Sequence, residues 1–383
     1  MRKAALLVAL VLGCGEPPQE AREPVVSAEP AETVAPSSAP LPSASAPKPS
    51  PFDAAVAPFE PKRVTLVQGA MGTKIQIQTF TTPELDEDAI KAKVWKAFEE
   101  IKRIEGLMTT WRDDSEISKV NQGAGGEPVK VGPETLAVID KSLWMSRESG
   151  GVFDISFEAM HGLWKFDQDL DPSIPKRSDI ERARKLIDYR KIVVDEGAST
   201  VRLADPKMKI SLGGIAKGYA VDAASKVLDR EGVHAFYVQA GGDLFVRGRK
   251  PDGSRFRVGV RDPRGRDEND YFAFIEVEDH AFSTAGDYER SFVKDGKRYH
   301  HIIDPRTGYP ATASRSVTLW ADDAFTADAV DDAVFILGPK KGLELVEKLD
   351  GVGAIVVDAK NKVWISKRLE KVLHQIREPT DGI

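Results

Sequence analysis

Four stretches of this 383-residue chain carry residue types and spacings that could do chemistry. The first is Ala327-Asp328-Ala329-Val330-Asp331-Asp332-Ala333, heading the apolar run Val334-Phe335-Ile336-Leu337. On a helix, Asp328, Asp331 and Asp332 stand at i, i+3 and i+4 and share one face. Three carboxylates there repel one another. Negative charges favoured by a helix N-terminus account for Asp328, but poorly for three acids on one face. A hard divalent cation accounts for them better, since Mg²⁺ takes oxygen ligands and commonly binds one or two carboxylates together with substrate phosphates. The second stretch is Ile210-Ser211-Leu212-Gly213-Gly214-Ile215-Ala216-Lys217-Gly218-Tyr219. It reads as a strand running through paired glycines into a helix. Glycine permits close backbone approach, the free N–H groups of a helix start suit an anion, and a lysine in the first turn suits a phosphate. The GxxxxGK[ST] spacing of a Walker A loop is absent, and a tight strand-to-helix turn is the plain alternative. Ala240-Gly241-Gly242-Asp243, the third stretch, reads by itself as a bulge or turn after an apolar strand. The fourth runs from Gly296 to Pro310. Its Asp304-Pro305-Arg306-Thr307-Gly308 is turn chemistry. His300 and His301 alternate faces if they end a strand, so at most one faces a site.

Composition bounds what these stretches can serve. There are 54 basic and 60 acidic residues, a formal net charge of -6, which argues against a nucleic-acid backbone as the main partner. One cysteine excludes an intrachain disulfide framework and a cysteine-based zinc site. No HExxH occurs, so a zinc-peptidase reading fails. With 41% apolar and 30% charged residues the chain can bury a core and stay in solution. Two strands are expected at Val64–Gln68 and Lys74–Phe80, around a turn at residues 70–73. Amphipathic helices are expected at Glu84–Leu107 and Pro133–Ser149, the latter closed by Gly150-Gly151. Strands follow at Lys191–Asp195, Thr200–Leu203 and Lys209–Leu212, then a helix at Ala216–Glu231. Further strands fall at Ala235–Gln239, Leu244–Gly248, Arg255–Arg261 and Tyr271–Glu278. Late strands at Ser316–Ala321 and Gly353–Val357 surround helices at Ala324–Leu337 and Lys340–Lys348. Runs of strands with interspersed helices imply an α+β fold with mixed, largely antiparallel sheets and packed helices.

The N-terminus reads as an address. Met1-Arg2-Lys3 is cationic, and Ala4–Gly13 is apolar but too short to span a bilayer. The run ends Val11-Leu12-Gly13-Cys14, which resembles a bacterial lipobox. That resemblance implies a signal peptide over residues 1–13, cleavage before Cys14 and lipidation of that cysteine. The expected location is a membrane-anchored lipoprotein on the extracytoplasmic or periplasmic face. Residues 14–60, rich in Pro, Ala and Ser, read as a disordered tether. Residues 61–383 read as the catalytic domain.

Taken together, the motifs resemble the ApbE-type FAD:protein FMN transferases over about residues 63–365. The markers are Met71-Gly72-Thr73; Met108-Thr109-Thr110-Trp111 with Asp114-Ser115-Glu116-Ile117-Ser118 and Asn121; Gly150-Gly151-Val152-Phe153-Asp154 with Leu163-Trp164; and Gly213 to Tyr219 with Asp222. Ala240-Gly241-Gly242-Asp243, Thr284-Ala285-Gly286-Asp287-Tyr288, His301 to Gly308 and Ala327-Asp328-Ala329 complete the series. The resemblance implies an ApbE-like, T-fold-related architecture. It also implies an activity: Mg²⁺-supported cleavage of FAD at its pyrophosphate, with FMN passing to a threonine hydroxyl of an acceptor protein and AMP leaving. Acceptors would be flavin-carrying subunits of membrane redox complexes. By the same resemblance, Met71, Trp111, Val152, Phe153, Asp154, Ser211, Lys217 and Ile302 contact FAD. Gly214, through its carbonyl, and Asp328, Asp331 and Asp332 hold the metal. His301 is the candidate base for the threonine proton, and Lys217 adds positive charge where AMP departs. The chain has Ser211, Ala285 and Asp332 where the family usually has Asp, Ser and Thr. The added charge at Asp332 brings Mn²⁺, Ca²⁺ or a second cation into consideration. A metal-dependent FAD pyrophosphatase and a non-catalytic flavin-binding lipoprotein are the competing readings.

Overall fold

Antiparallel pairing between neighbours in chain order builds the main sheet. The structure, a computed structural model, describes residues 59–166 and 170–383. Eight strands follow one another across the sheet: Arg63–Ala70, Thr73–Phe80, Phe236–Ala240, Asp243–Arg247, His280–Gly286, Ser314–Ala321, Gly353–Asp358 and Val363–Ile365. Every adjacent pair is antiparallel. Residues along each strand therefore alternate between two buried faces. One face packs on the helices Glu87–Met108, Ala216–Arg230 and Ala324–Val346, and its core includes Ile75, Val238, Phe245, Ala281 and Val317. The other face packs on a three-stranded sheet, Phe256–Arg261, Tyr271–Val277 and Leu373–Gln375, through Tyr237, Leu244, Val246, Phe272 and Phe282. The result is a mixed α+β fold with antiparallel sheets and packed helices.

One local expectation is corrected. Lys209–Leu212 is not a strand. Its apolar alternation is real, but the Asn121 side chain takes the hydrogen bonds a partner strand would supply. Asn121 Nδ2 donates to the Ile210 carbonyl at 2.9 Å, and the Ile210 N–H donates to Asn121 Oδ1 at 2.8 Å. The last two helices fall as expected: the run Ala324–Val346 is two helices divided at Gly338, whose φ of 75° and following Pro339 break it. Strand His280–Gly286 was not expected from sequence.

The anchored location expected from the N-terminus is also corrected. Among the described residues no helix is long and apolar enough to cross a membrane. The longest run, Ala324–Val346, is divided at Gly338 and buries Asp328, Asp331, Gly338 and Gly342. The signal peptide, the Cys14 lipobox and the tether up to residue 58 lie outside the described residues.

Candidate active site

The helix carrying the three aspartates starts at Ala324, and its first N–H groups are already satisfied. Asp323 caps it by accepting from Thr326 N at 2.7 Å. Asp222, on the neighbouring helix, accepts from Ala324 N at 2.9 Å and Phe325 N at 3.0 Å. The dipole therefore has its anions, and the later acids do not serve it. Asp328 and Asp331 turn instead toward the sheet and are 2% and 6% exposed.

There they meet a residue from the sheet. Asp243 opens strand Asp243–Arg247 and is 1% exposed. One carboxylate oxygen from each of Asp243, Asp328 and Asp331 lies within 4.8 Å of the others. Gly241, at φ +61°, makes the tight turn before it. Gly242 is required by proximity, since a Cβ there would stand 2.5 Å from the Thr284 carbonyl oxygen. The glycine pair thus lets Asp243 approach the neighbouring strand. Asp243 was not among the metal ligands expected from sequence; its place after two glycines looked like a turn.

Lys217 lies between the acids. Its Nζ is 2.7 Å from Asp243 Oδ2 and 3.3 Å from Asp328 Oδ1. Burial alone would lower its pKa, but Asp243 and Asp328 outweigh that and hold it above the ordinary lysine range. Gly218 N–H donates to Asp328 Oδ2 at 2.7 Å. The helices approach so closely here that a Cβ on Gly218 would stand 2.2 Å from the Ala324 carbonyl oxygen. Burial raises the Asp328 carboxyl to about 7, helped by Asp243 and opposed by Lys217. Burial and then Asp332 and Asp328 push Asp331 well above its ordinary value. Asp332 is raised to about 6, mainly by burial. Its Oδ2 lies 3.4 Å from where a Cβ on Gly214 would be, and Phe153 packs on the same glycine. Gly214, Lys217, Asp328, Asp331 and Asp332 therefore meet as the sequence expectation brings them together, with Asp243 added.

The remaining expected residues lie on other segments. Met71 sits at the tip of the first hairpin with φ 53°, its N–H donating to Glu105 at 2.6 Å. Next to it, Gly72 faces the Arg290 guanidinium, and the Arg290 carbonyl accepts from the His301 N–H at 3.1 Å. His301 has a buried Nδ1 without a hydrogen-bond partner. Burial, then Arg290, pushes its pKa down to about 3, so it stands as a neutral imidazole. His300 is buried, with Nε2 2.8 Å from the Ala311 carbonyl oxygen, and has no free face. Ser211 accepts from Gly213 N–H at 3.3 Å within the turn, and its own N–H donates to the Ile155 carbonyl. Trp111 is 85% exposed and meets His161 edge-on, ring centres 6.1 Å apart. Val152 and Phe153 are buried.

Two expected flavin contacts are occupied by the protein itself. The Asp154 carboxylate accepts from Ser156 N, Ser156 Oγ and Tyr189 N at 2.9, 2.6 and 2.8 Å, which fixes the loop rather than a ligand. Ile302 donates its N–H to His300 Nδ1 at 3.3 Å and accepts from Ala311 N at 3.0 Å, so its backbone has no free N–H for a nucleotide.

Comparison with known proteins identifies the family. The ApbE family pattern matches residues 71–356. The FAD:protein FMN transferase of Klebsiella pneumoniae is 30% identical over 329 residues, 84% of this chain and 93% of that protein. The enzyme of the same description from Treponema pallidum is 32% identical over 310 residues, 77% of this chain and 84% of its own. Among solved structures, the ApbE protein of Thermotoga maritima superposes with a TM-score of 0.72 at 32% identity, covering 81% of this chain and 99% of that one. The flavin transferase ApbE from Vibrio cholerae gives 0.71 at 26% identity, covering 82% and 100%. A buried acid cluster, a lysine held within it and this breadth of similarity together make the chain a member of the ApbE family of flavin transferases, with FAD as substrate.

Proposed function

We propose that this protein transfers FMN from FAD to a threonine hydroxyl of a flavin-carrying acceptor protein, with Mg²⁺ bound at the acid cluster. The observation that carries this reading is the buried group Asp243, Asp328 and Asp331 around Lys217. Its donors are all oxygens, which suits a hard cation. A further contact makes the same demand. Ser283 Oγ lies 2.6 Å from Asp243 Oδ1 and 2.7 Å from Asp331 Oδ2. A hydroxyl has one proton, so it can donate to only one of them. The other oxygen pair needs a second proton or a nearby cation. Asp243, Asp328, Asp331 and Asp332, with the Gly214 carbonyl, would hold Mg²⁺. Mn²⁺ and Ca²⁺ are compatible with the same donors. When bound, such an ion neutralises pyrophosphate charge and orients the phosphorus for in-line attack.

The chain's own groups do the rest. Lys217, held at the first turn of its helix by two carboxylates, offers a fixed positive charge beside the leaving phosphate. The Gly213-Gly214 turn lets backbone approach the phosphates without a side chain in the way. The acceptor threonine oxygen forms its bond to the FMN phosphorus as the anhydride P–O bond breaks to AMP. The threonine proton goes to His301, a neutral imidazole with an unpartnered Nδ1. Negative charge from the pyrophosphate, placed near Lys217 and Arg290, raises the basicity that those cations otherwise depress. Trp111, exposed at the rim, offers a flat face for a ring of FAD.

The test uses the full chain with FAD, Mg²⁺ and a threonine-bearing acceptor domain. A fluorescent flavin band on the denatured acceptor, with AMP in equal amount, is expected. AMP without a labelled acceptor would replace this reading by FAD hydrolysis. Neither product, with FAD retained, would leave a flavin-binding protein.

A further inference from the structure

Ser283 belongs to none of the motif roles above. It lies on strand His280–Gly286, whose Phe282 pairs with Leu244 and Ala281 with Phe245. One step along that register, Ser283 falls opposite Asp243. Both point to the helix-packed face, as the alternation with Phe282 and Leu244 requires. The Thr284 N–H donating to the Gly242 carbonyl at 3.1 Å continues the pairing past them. From the other side comes Asp331, on the helix that packs over this strand. Ser283 is 1% exposed, and its hydroxyl is shared by two carboxylates from different elements.

The polar groups of the site form one continuous chain. Gly218 N–H donates to Asp328; Lys217 joins Asp328 to Asp243; Ser283 joins Asp243 to Asp331; and the Asp332 N–H donates to the far oxygen of Asp331. Every joint but one is a backbone N–H or a charged group. Ser283 is the side-chain hydroxyl among them, and it bridges the sheet's carboxylate and that of Asp331. Without it the contacts to Asp243 Oδ1 and Asp331 Oδ2 are lost, and the Asp331 carboxylate can turn about its χ2, which is broad for aspartate.

We propose that Ser283 is a positioning residue, its hydroxyl fixing Asp243 and Asp331 so that their oxygens converge with that of Asp328 on a divalent cation. The inference rests on the metal reading above and extends it to a residue that touches ligands rather than the ion. Groups that hydrogen-bond to metal-ligating carboxylates typically govern affinity by about 10- to 100-fold. The hydroxyl also sets a direction: an oxygen engaged by Ser283 has that lone pair occupied, so the remaining lone pairs face the cluster.

The experiment uses the full chain and Mn²⁺ alone as probe, with free Mn²⁺ followed by electron paramagnetic resonance in titrations of wild type, Ser283→Ala and Ser283→Thr. Thermal unfolding in EDTA is recorded for each. Ser283→Ala should bind Mn²⁺ about 10- to 100-fold more weakly, while Ser283→Thr, which keeps the hydroxyl, should bind close to wild type. Ser283→Ala binding as tightly as wild type overturns the clamp and leaves the metal site standing. Equal loss in Ser283→Ala and Ser283→Thr also overturns it, because packing and not the hydroxyl would then be responsible. Wild type that binds no Mn²⁺ overturns the metal reading and this proposal with it. If Ser283→Ala fails to fold in EDTA, Ser283→Cys, of similar size but a weak hydrogen-bonding partner, takes its place: weaker Mn²⁺ binding than in Ser283→Thr supports the clamp, and equal binding overturns it.

Discussion

Replacing Gly218 by alanine tests whether the two helices set the site. A Cβ at 218 would meet the Ala324 carbonyl oxygen at 2.2 Å, its carbon at 2.7 Å and Asp328 Cβ at 2.7 Å. Two of those atoms are backbone, so no rotamer relieves the clash. Reaching ordinary contact at 3.4 Å requires the helices to part by about 1.2 Å at that point. Overpacking of this kind costs about 1–3 kcal/mol. Parting also lengthens the 2.7 Å hydrogen bond from Gly218 N–H to the buried Asp328 carboxylate, a charged bond worth about 1.5–3 kcal/mol. Against this, alanine is favoured over glycine inside a helix by about 1 kcal/mol. The balance is a loss of about 1.5–5 kcal/mol, read as the shift in urea midpoint times the slope. Turnover should fall further, because Lys217 and Asp328 sit on opposite sides of the opened seam and a misplacement near 1 Å costs about 10²-fold in rate. Flavin transfer and AMP release are the assays. Gly69→Ala is the control: nothing lies within 4 Å of its would-be Cβ, and both readouts should stay at wild type. A Gly218→Ala protein with wild-type midpoint and wild-type turnover would refute the reasoning.

Asp328→Ala should abolish metal-dependent turnover, since it removes a buried anionic ligand, one of the two carboxylates that hold Lys217, and the acceptor of the Gly218 N–H; full activity would sink the metal assignment. In EDTA, stability should fall as pH rises from about 4 to about 7. Asp328, whose carboxyl is raised from 3.8 to about 7, and Asp332, raised to about 6, bind more protons folded than unfolded over that window. Saturating Mg²⁺ should flatten this slope, and melting curves at pH 5, 6, 7 and 8 with and without the ion measure it. His301→Ala should lower turnover while leaving FAD binding nearly intact, and unchanged turnover would remove it from the mechanism. Trp111→Ala should raise the KM for FAD about 2- to 10-fold, from a ring contact of about 0.5–1.5 kcal/mol, with no change in melting because the side chain is exposed.

Much of this site can be read locally. Spacing of three and four residues puts Asp328, Asp331 and Asp332 on one helical face, and a glycine pair before Lys217 announces a helix start open to an anion. These signals depend on neighbours in the chain. Asp243 and Ser283 depend on strands 40 residues apart meeting in one register, and no local pattern carries that. The strand His280–Gly286 is also hard to see, because its small and polar residues face a buried acid cluster rather than plain core. Lys209–Leu212 fails for the opposite reason. Its alternation is that of a strand, but one amide side chain, Asn121, supplies the pairing from a helix 89 residues away. Asp154 and Ile302 lie in site-lining segments, yet their polar groups close hydrogen bonds within the protein.

The charge balance explains why the fold keeps such a cluster. Asp243, Asp328, Asp331 and Asp332 bring four carboxylates to one place, and Lys217 is the cation tied among them. A group of acids this buried is unfavourable when ionised, which is why Asp328, Asp331 and Asp332 are displaced upward. The surrounding core supplies the stability that the cluster lacks: large buried side chains such as Phe335 and Ile336 follow directly after Asp331 and Asp332 on the same helix. A divalent cation reverses the sign of the local electrostatics, so binding and deprotonation must advance together. The consequence is an order of events. On the proposed function, metal affinity would grow as the acids lose their protons, and the anionic pyrophosphate of FAD would be admitted once a bound cation had neutralised the surplus negative charge. FAD affinity measured at fixed pH should therefore rise with Mg²⁺ concentration and fall when Lys217 is replaced by methionine, even where the flavin rings keep every contact.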